Sequence, residues 1–275
     1  MEKKQTIINH KKVFYLEEGD PGSPAVLLLH GVPESSLVWE EIVPAILSSG
    51  CRAIAPDLPG FGQSEPFDEA STWERFGEFV SDFKKHLHLE KVHLVVHDWG
   101  GLIGLKWACD HPEDVLSIVV SNSTISDEYS WHKLAQIWRT PGIGEEAMKK
   151  FADWGQFSSE TRKSIPGITE KTLKDFYQVF HTEDSSKVVL DLYRSGNLQT
   201  VKMYQEKLKS LKVPVSILWG ENDPYVPLPF AWKLKNESFP HAQVSVIQDA
   251  GHFIQIEVPH AVNKLMIQHL NQYKK

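Results

Sequence analysis

The sequence has little cysteine and no long apolar run, and each scarcity excludes a class of protein. Only two cysteines, Cys51 and Cys109, occur among 275 residues. Both lie in apolar segments, which favours buried thiols in a reducing compartment over a disulfide framework. The longest apolar run, Ala25 to Leu29, is far too short to span a bilayer. The polar N-terminus lacks the apolar centre of a signal peptide, so we expect a soluble, cytoplasmic protein without membrane insertion.

Basic residues are also scarce relative to acidic ones. The chain has 29 Lys and Arg against 36 Asp and Glu, a net charge of -7, and no basic stretch stands out. We therefore predict that the protein does not bind nucleic acid. Hydrophobic residues make up 41% of the chain, which is enough for the core of one large domain.

Strand and helix patterns alternate through the first half of the chain. Ala25 to His30 is a continuous apolar run, typical of a strand buried on both faces. Ile7 to Leu16 is predicted as one or two strands, and Cys51 to Ala55, Val92 to Val96 and Leu116 to Val120 as further strands. Helical spacing occupies the stretches between them: Ser36 to Leu47, Trp73 to Leu87 and Leu102 to Ala108. This alternation predicts an α/β fold with a mostly parallel sheet and helices on both faces.

The alternation of strand and helix patterns stops between residues 123 and 212, where helical segments follow one another without a buried-strand run. Strand patterns return at Val213 to Trp219 and at Gln243 to Ile247. We therefore predict a core domain of residues 1–122 and 213–275, interrupted after the sixth strand by a helical cap domain of residues 123–212. A cap over the carboxyl ends of parallel strands would enclose a site there.

The segment Leu94-Val-Val-His-Asp98-Trp99-Gly100-Gly101 passes from a strand directly into a helix. That context is typical of the nucleophile elbow of the α/β-hydrolase fold, whose usual pattern is G-x-S-x-G. Here Asp98 stands in the place of the serine, and Gly100 keeps the small residue where the turn crowds the helix. Taken alone, Asp98 could equally be an ordinary helix N-cap.

Two later segments favour the catalytic interpretation. Asp223 follows the strand that ends at Gly220, and His252 follows the strand that ends at Ile247. The order nucleophile, acid, histidine is the order that this fold uses, which predicts the triad Asp98, Asp223 and His252. Asp249 is a competing acid, but its place three residues before the histidine suits a turn better.

The loop His30-Gly31-Val32-Pro33 follows an early strand, where this fold supplies one amide of an oxyanion hole. We expect the backbone N–H groups of Val32 and Trp99 to form that hole. We predict neither a metal site nor a cofactor, and the pair His86 and His88 lacks the spacing of metal ligands.

An aspartate nucleophile points to displacement at saturated carbon. A serine would leave an ether there, whereas a carboxylate leaves an alkyl ester that a histidine-activated water can cleave. The expected substrate is a small apolar organic molecule with a carbon–halogen bond or a strained epoxide, and water is the second reactant. Ordinary esterase or peptidase work is disfavoured.

These motifs resemble those of haloalkane dehalogenases over nearly the whole chain. The resemblance rests on Leu94 to Gly101, Ile54 to Ser64, Arg139 to Glu145 and Asp249 to Gln255. It implies that the indole N–H of Trp99 holds the leaving halide. It also implies Asp223 as the acid, although another branch of the family places its acid where this chain has Asn122.

Compared with either related family, this chain lacks one of the two residues that would bind the leaving group. Val32 has no donor side chain, so a second halide donor would come from the cap, where Trp131, Trp138 and Trp154 are candidates. Epoxide hydrolases share the His-Asp-Trp-Gly segment and the opening that ends at Glu34.

The epoxide hydrolases use two cap tyrosines as donors to the epoxide oxygen. Tyr193 resembles the second, and the first would fall near Leu134, which cannot donate a proton. Tyr129 could replace it only if the loop brings it into the site. Dehalogenation is the leading hypothesis because its resemblance extends into the cap, and epoxide hydrolysis is the alternative. A luciferase-like oxygenase or a ligand receptor on the same fold is a third.

Overall fold

Eight strands form one sheet in a computed structural model that describes residues 2–273, except the side chains of residues 198 and 199. The strands are β1 (Glu2–Ile8), β2 (Lys11–Glu18), β3 (Ala25–Leu29), β4 (Arg52–Pro56), β5 (Val92–His97), β6 (Val115–Ser121), β7 (Val215–Gly220) and β8 (Gln243–Ile247). Their order is β1-β2-β4-β3-β5-β6-β7-β8, and only β1 with β2 and β2 with β4 pair antiparallel. The predicted mostly parallel sheet is confirmed.

Helices cover both faces of the sheet because its central strands are apolar on both sides. On β3, Leu27 and Leu29 pack in one hydrophobic cluster, whereas Val26 and Leu28 pack in the other. The first cluster includes α2 (Trp73–His86) and α3 (Trp99–Asp110). The second includes α1 (Val43–Ser48) and α12 (Pro259–Gln272), while α10 (Pro229–Glu237) and the short α11 (Ile254–Glu257) flank β8.

Six helices occupy the chain between β6 and β7. They are α4 (Lys133–Arg139), α5 (Ile143–Phe151), α6 (Trp154–Ser164), α7 (Glu170–His181), α8 (Glu183–Ser195) and α9 (Leu198–Leu208), and we call them the inserted helices. That they form a domain of their own, with the boundaries given above, stays a prediction. Within residues 2–273, no helix combines the length and apolar character needed to cross a membrane.

Two local predictions differ from the structure. The stretch Ser36 to Leu47 contains a 3-10 helix, Ser36–Trp39, and a separate helix α1, instead of one continuous helix. Pro44 lies in the first turn of α1, where its missing N–H is harmless, and it could not continue a helix from Ser36. The first strand begins at Glu2, ahead of the predicted start at Ile7, because β1 is an exposed edge strand and carries few apolar residues.

A buried chain of hydrogen bonds links β5, β6, β7 and α12. Ser117 Oγ lies 2.7 Å from His93 Nδ1 and 2.8 Å from His269 Nε2, and His269 Nδ1 lies 2.7 Å from Ser216 Oγ. Burial lowers the pKa of His93 to about 4, and burial together with the neighbouring His93 lowers that of His269 to about 4. Both imidazoles are therefore neutral in the folded protein near neutral pH.

These histidines predict an acid-sensitive fold. Because an unfolded histidine has a pKa near 6.5, unfolding takes up protons below that pH, and stability falls as the pH drops from about 6.5 towards 4. Each histidine can contribute a loss of up to about 3 kcal/mol over this range. His93→Asn keeps a donor toward Ser117 and removes one titrating group. Urea unfolding at pH 7.5 and pH 5 should therefore show a smaller loss in the variant than in the wild type, and equal losses would contradict this assignment.

Candidate active site

Asp98 lies at the sharp turn between β5 and α3, at the carboxyl edge of the sheet. Its backbone has φ 47° and ψ -123°, in the positive-φ region that side chains other than glycine rarely adopt. The turn directs the carboxylate away from the core, and the side chain is 16% exposed. This geometry is what the predicted elbow requires.

Three glycines make room for this turn. A Cβ at Gly100 would collide with the carbonyl oxygens of Leu29 and His30, and one at Gly31 would collide with the Asp98 side chain. A Cβ at Gly101 would occupy the place of the Ser123 hydroxyl, which donates to the Asp98 carbonyl at 2.6 Å. The close approach of three chain segments therefore fixes small residues at these positions.

The structure brings the other two predicted triad residues to Asp98. His252 Nε2 lies 3.5 Å from Asp98 Oδ2, and His252 Nδ1 lies 2.8 Å from Asp223 Oδ2. The second oxygen of Asp223 accepts the backbone N–H groups of Tyr225 and Val226 at 2.8 and 2.9 Å. Asp223 is thus fully occupied as an acceptor and holds the imidazole with its Nε2 atom toward Asp98.

Asn122, the position of the acid in the other dehalogenase branch, supports Asp223 here. Its Nδ2 atom donates to Asp223 Oδ2 at 2.7 Å, and its Oδ1 atom accepts the Gly220 N–H at 3.3 Å. Asp249, the competing acid, is exposed in a turn with φ 59° after β8. The geometry therefore singles out Asp223 as the partner of His252.

The two carboxylates and the imidazole shift one another's pKa. Burial raises the pKa of Asp98, but hydrogen bonding to His252 and the His252 charge outweigh it and lower the pKa to about 2. Burial lowers the pKa of His252, but the charge of Asp223 and contacts with both carboxylates raise it well above 6.5. For Asp223, burial raises the pKa and the His252 charge lowers it, with a net decrease. The resting site therefore holds an imidazolium between two carboxylates.

One of the two predicted oxyanion-hole amides is directed at the site. The Val32 N–H donates to Asp98 Oδ1 at 2.9 Å. The Trp99 amide belongs to the first residue of α3, next to Asp98 in the chain. The carboxylate oxygen held by the Val32 amide would stay bound when the other oxygen forms an ester.

Glu34 and His97 join the loops that carry the site, a role that the sequence did not reveal. Glu34 accepts the Gly31 N–H at 2.7 Å, and its Oε1 atom lies 2.8 Å from His97 Nδ1. His97 Nε2 donates to the His252 carbonyl at 3.0 Å. Both side chains are fully buried beneath the site. The only signal for this role was the proximity of each residue to a motif residue in sequence.

A cavity of about 210 Å³ lies above Asp98 and His252, between the sheet edge and the inserted helices. Its aromatic wall consists of Trp138, Phe151, Phe157, Phe176, Phe180 and Phe253. The polar atoms at its base come from Asp98, His132, Tyr193, Tyr225 and His252. An apolar wall over a polar base fits a small organic molecule whose reactive end faces Asp98.

Two of the three predicted leaving-group residues line cavities that Asp98 also lines. Tyr193, on α8, lines the main cavity and a smaller neighbouring cavity of about 30 Å³, whereas Trp99 lines only the smaller one. The Trp99 ring stacks on Trp131 at 5.6 Å between centroids and meets Tyr193 edge-on at 5.1 Å. Trp154 does not belong to the lining of either cavity and packs against Phe157 and Tyr177. The structure therefore does not bring Trp154 to the site.

The surroundings of the Tyr193 phenol raise its pKa. Burial and the Asp98 charge raise its pKa well above 10, whereas a hydrogen bond from the Trp99 side chain lowers it. The phenol is thus protonated at any working pH. Tyr129, the other tyrosine considered, donates its hydroxyl to the Tyr225 carbonyl at 3.0 Å and lines only the smaller cavity.

One group of side chains among residues 2–273 has the donor spacing for a metal ion: His111, Glu113 and Asp114. It precedes β6, at the end of the parallel strands opposite Asp98. None of its members belongs to the site described above.

The comparisons with known proteins agree with this fold. The family model described as "alpha/beta hydrolase fold" matches residues 24–141 and 143–259, so the chain belongs to the α/β-hydrolase family and is an enzyme. The solved structure of haloalkane dehalogenase DbeA from Bradyrhizobium elkani superposes with a TM-score of 0.87 at 22% identity, covering 99% of this chain and 98% of that one. At this identity the likeness shows the fold alone.

Two curated relatives represent two activities. A haloalkane dehalogenase of Psychrobacter cryohalolentis is 25% identical, over 94% of this chain and 88% of its own. Epoxide hydrolase 3 of Xenopus tropicalis is 24% identical, over 92% of this chain and 72% of its own. The expected resemblance to both families is confirmed, and their similar identities do not choose between the two reactions.

The position of Asp98 predicts that its carboxylate is required for turnover and dispensable for folding. Asp98→Ala should lower turnover of epoxides and haloalkanes by roughly a million-fold, as the loss of a nucleophile does. Its thermal unfolding midpoint should stay near that of the wild type. Asp249→Asn, at another positive-φ aspartate, is the matched control and should keep wild-type activity. Near-normal turnover in Asp98→Ala would exclude Asp98 as the nucleophile.

Proposed function

We propose that the enzyme hydrolyses its substrate in two steps through an ester on Asp98. The proposal is supported by the partly exposed carboxylate, held by the Val32 amide on one oxygen and facing His252 with the other. In the first step a carboxylate oxygen attacks a saturated carbon of the substrate, and the bond to the leaving atom breaks. In the second step water attacks the ester carbonyl carbon and gives one proton to His252. The bond from that carbon to the substrate-bearing oxygen breaks, the product alcohol leaves with the other proton, and the Asp98 carboxylate is regenerated.

Ester formation prepares His252 for the second step. In the resting site, the Asp98 charge is one of the causes that raise the pKa of His252. Alkylation removes that charge, so the pKa of His252 falls and its proton can leave. The neutral imidazole is then the base that activates water, while Asp223 keeps it oriented.

Epoxide hydrolysis is the reaction that we propose. The observation that carries it is the Tyr193 phenol, which lines the cavity with Asp98 and retains its proton. An epoxide oxygen becomes an alkoxide when the ring opens, and a phenol is acidic enough to protonate it. The Trp99 indole hydrogen-bonds to the phenol from the neighbouring cavity. In the epoxide reaction this contact would support Tyr193 as the proton donor.

Dehalogenation is the second candidate and rests on a different observation. The Trp138 indole nitrogen is buried, has no hydrogen-bond partner among the described residues, and belongs to a side chain that lines the cavity. A free indole N–H is a suitable donor to a halide because it does not give up its proton. The Trp138 and Trp99 indoles would form a halide site together only if the Trp99 N–H broke its hydrogen bond to Tyr193 and pointed at the halide.

The two-step mechanism predicts a trapped intermediate in His252→Phe. Without an activated water the ester should persist, because its hydrolysis alone depends on this base. Intact-protein mass spectrometry after incubation with styrene oxide should show the mass of the variant plus one substrate, located on Asp98 by peptide mapping. Asp98→Ala/His252→Phe is the control and should stay unmodified. An unmodified His252→Phe enzyme, in a preparation whose wild type turns the substrate over, would contradict the ester mechanism.

Epoxide opening and dehalogenation predict opposite orders for the rates that remain in Tyr193→Phe and Trp99→Phe. For epoxide opening, Tyr193→Phe should lower the rate by roughly 10²- to 10³-fold, which is typical of losing one donor to developing charge. Trp99→Phe should have the smaller effect on epoxides because its indole acts through Tyr193. The measurement is diol formation from styrene oxide and bromide release from bromobutane by both variants. A reversed ranking, with bromide release depending on Trp99, would establish the dehalogenase.

A further inference from the structure

His132 is a cavity residue to which neither the sequence nor the mechanism above assigns a role. It immediately precedes α4, and its side chain lines both the main cavity and the smaller one, as Asp98 and Tyr193 do. Its ring lies 5.1 Å from that of Tyr225 and 6.3 Å from that of Tyr193, between centroids. His132 therefore belongs to the polar base of the cavity.

The helix start fixes which nitrogen of His132 carries the proton. His132 Nδ1 accepts the backbone N–H of Ala135 at 3.2 Å and caps the first turn of α4. An accepting Nδ1 has no proton, so in the neutral ring the proton resides on Nε2. The side chain can thus present an N–H donor to the cavity while its other nitrogen serves the helix.

The imidazole is neutral although a carboxylate lies nearby. Burial lowers the pKa of His132, and this effect outweighs the nearby charge of Asp98, which raises it. The charge of His252 lowers the pKa, and that of Asp223 raises it. Asp98 lines the same two cavities as the His132 ring, and the neutrality of the ring avoids a second salt bridge there.

Neither position expected to supply the first cap tyrosine, Leu134 or Tyr129, can donate a second hydrogen bond to the leaving oxygen. Leu134 lines the cavity and has no polar atom, and the Tyr129 hydroxyl is bound to the Tyr225 carbonyl. Asp98 lines both cavities, whereas Trp138 lines only the main one. His132 is the N–H donor that shares both cavities with Asp98.

We propose that His132 Nε2–H is the second donor to the oxygen that leaves carbon, acting beside Tyr193. This inference rests on the proposed epoxide reaction. As an Asp98 oxygen bonds to carbon, the carbon–oxygen bond of the ring breaks and the oxygen takes the electron pair. The oxygen receives its proton from Tyr193 and a hydrogen bond from His132, which keeps its own proton. Before ester hydrolysis the His252 imidazolium gives its proton to the tyrosinate, and the neutral imidazole then takes a proton from the attacking water, which restores the resting imidazolium.

The test separates the two chemical steps in variants that keep the helix cap. His132→Ser and His132→Asn both retain a side-chain acceptor favoured at an N-cap, but neither places an N–H where Nε2 lies. Stopped-flow tryptophan fluorescence with styrene oxide would give the rate constants of ester formation and ester hydrolysis. We expect ester formation to slow by roughly 10²-fold and hydrolysis to change little, because only the first step develops charge on oxygen.

Asp153→Ser provides the matched control. Asp153 caps α6 by accepting the Gln156 N–H at 2.7 Å and does not line either cavity, so its replacement should leave both rate constants unchanged. Ester formation at the wild-type rate in either His132 variant would overturn the proposal. Equal slowing of both steps, or loss of folding in both variants, would assign His132 a structural role only and would also overturn it.

Two further outcomes are distinguishable. Loss of ester formation in Trp138→Phe, with normal rates in His132→Ser, would move the second donor to the indole and overturn the assignment to His132. Failure of the wild-type enzyme to form any diol, together with bromide release from bromobutane, would refute the epoxide reaction itself. That result would also overturn the role of His132, which has no leaving oxygen to serve in dehalogenation.

Discussion

The strained turn at Asp98 is the constraint on which the rest of the site depends. A positive φ at a residue with a side chain is costly, and it persists because the surrounding structure leaves no alternative. The loop after β3 supplies Gly31 and the Val32 amide, and Ser123 holds the Asp98 carbonyl from the chain beyond β6. The sheet order places these segments on both sides of β5, so the fold itself enforces the turn.

Buried polar contacts beneath the site tie its separate loops into one unit. Glu34 belongs to the loop after β3, His97 to the end of β5, and His252 to the loop after β8. On the other side, Asn122 connects the end of β6 with Asp223 and Gly220. Buried polar groups are costly unless they are paired, so this network disfavours movement of any one loop. Such fixed positions are what a mechanism with two successive attacks at Asp98 requires.

The inserted helices determine what the site can act on. The sheet edge supplies the carboxylates, the imidazole and the Val32 amide, all of which suit displacement at a saturated carbon. Tyr193, His132 and every residue of the aromatic wall except Phe253 come from the segment between β6 and β7. A change in how those helices pack would alter the lining of the cavity without disturbing the contacts of Asp98, Asp223 and His252 at the sheet edge. The two activities among the relatives agree with this division of roles.

The sequence by itself determined the sheet, the order of the candidate triad and the position of the helical insertion. These follow from local signals: buried runs such as Ala25 to Leu29, and polar residues directly after strands, as at Asp98 and His252. Only the tertiary structure decided which side chains of the inserted helices reach Asp98. Trp154 packs against Phe157 and Tyr177, whereas His132 lines the cavity. Local patterns do not predict this difference, because helix packing depends on contacts between residues far apart in sequence. Helical spacing shows that a residue is on a helix, but not which neighbour its side chain will meet.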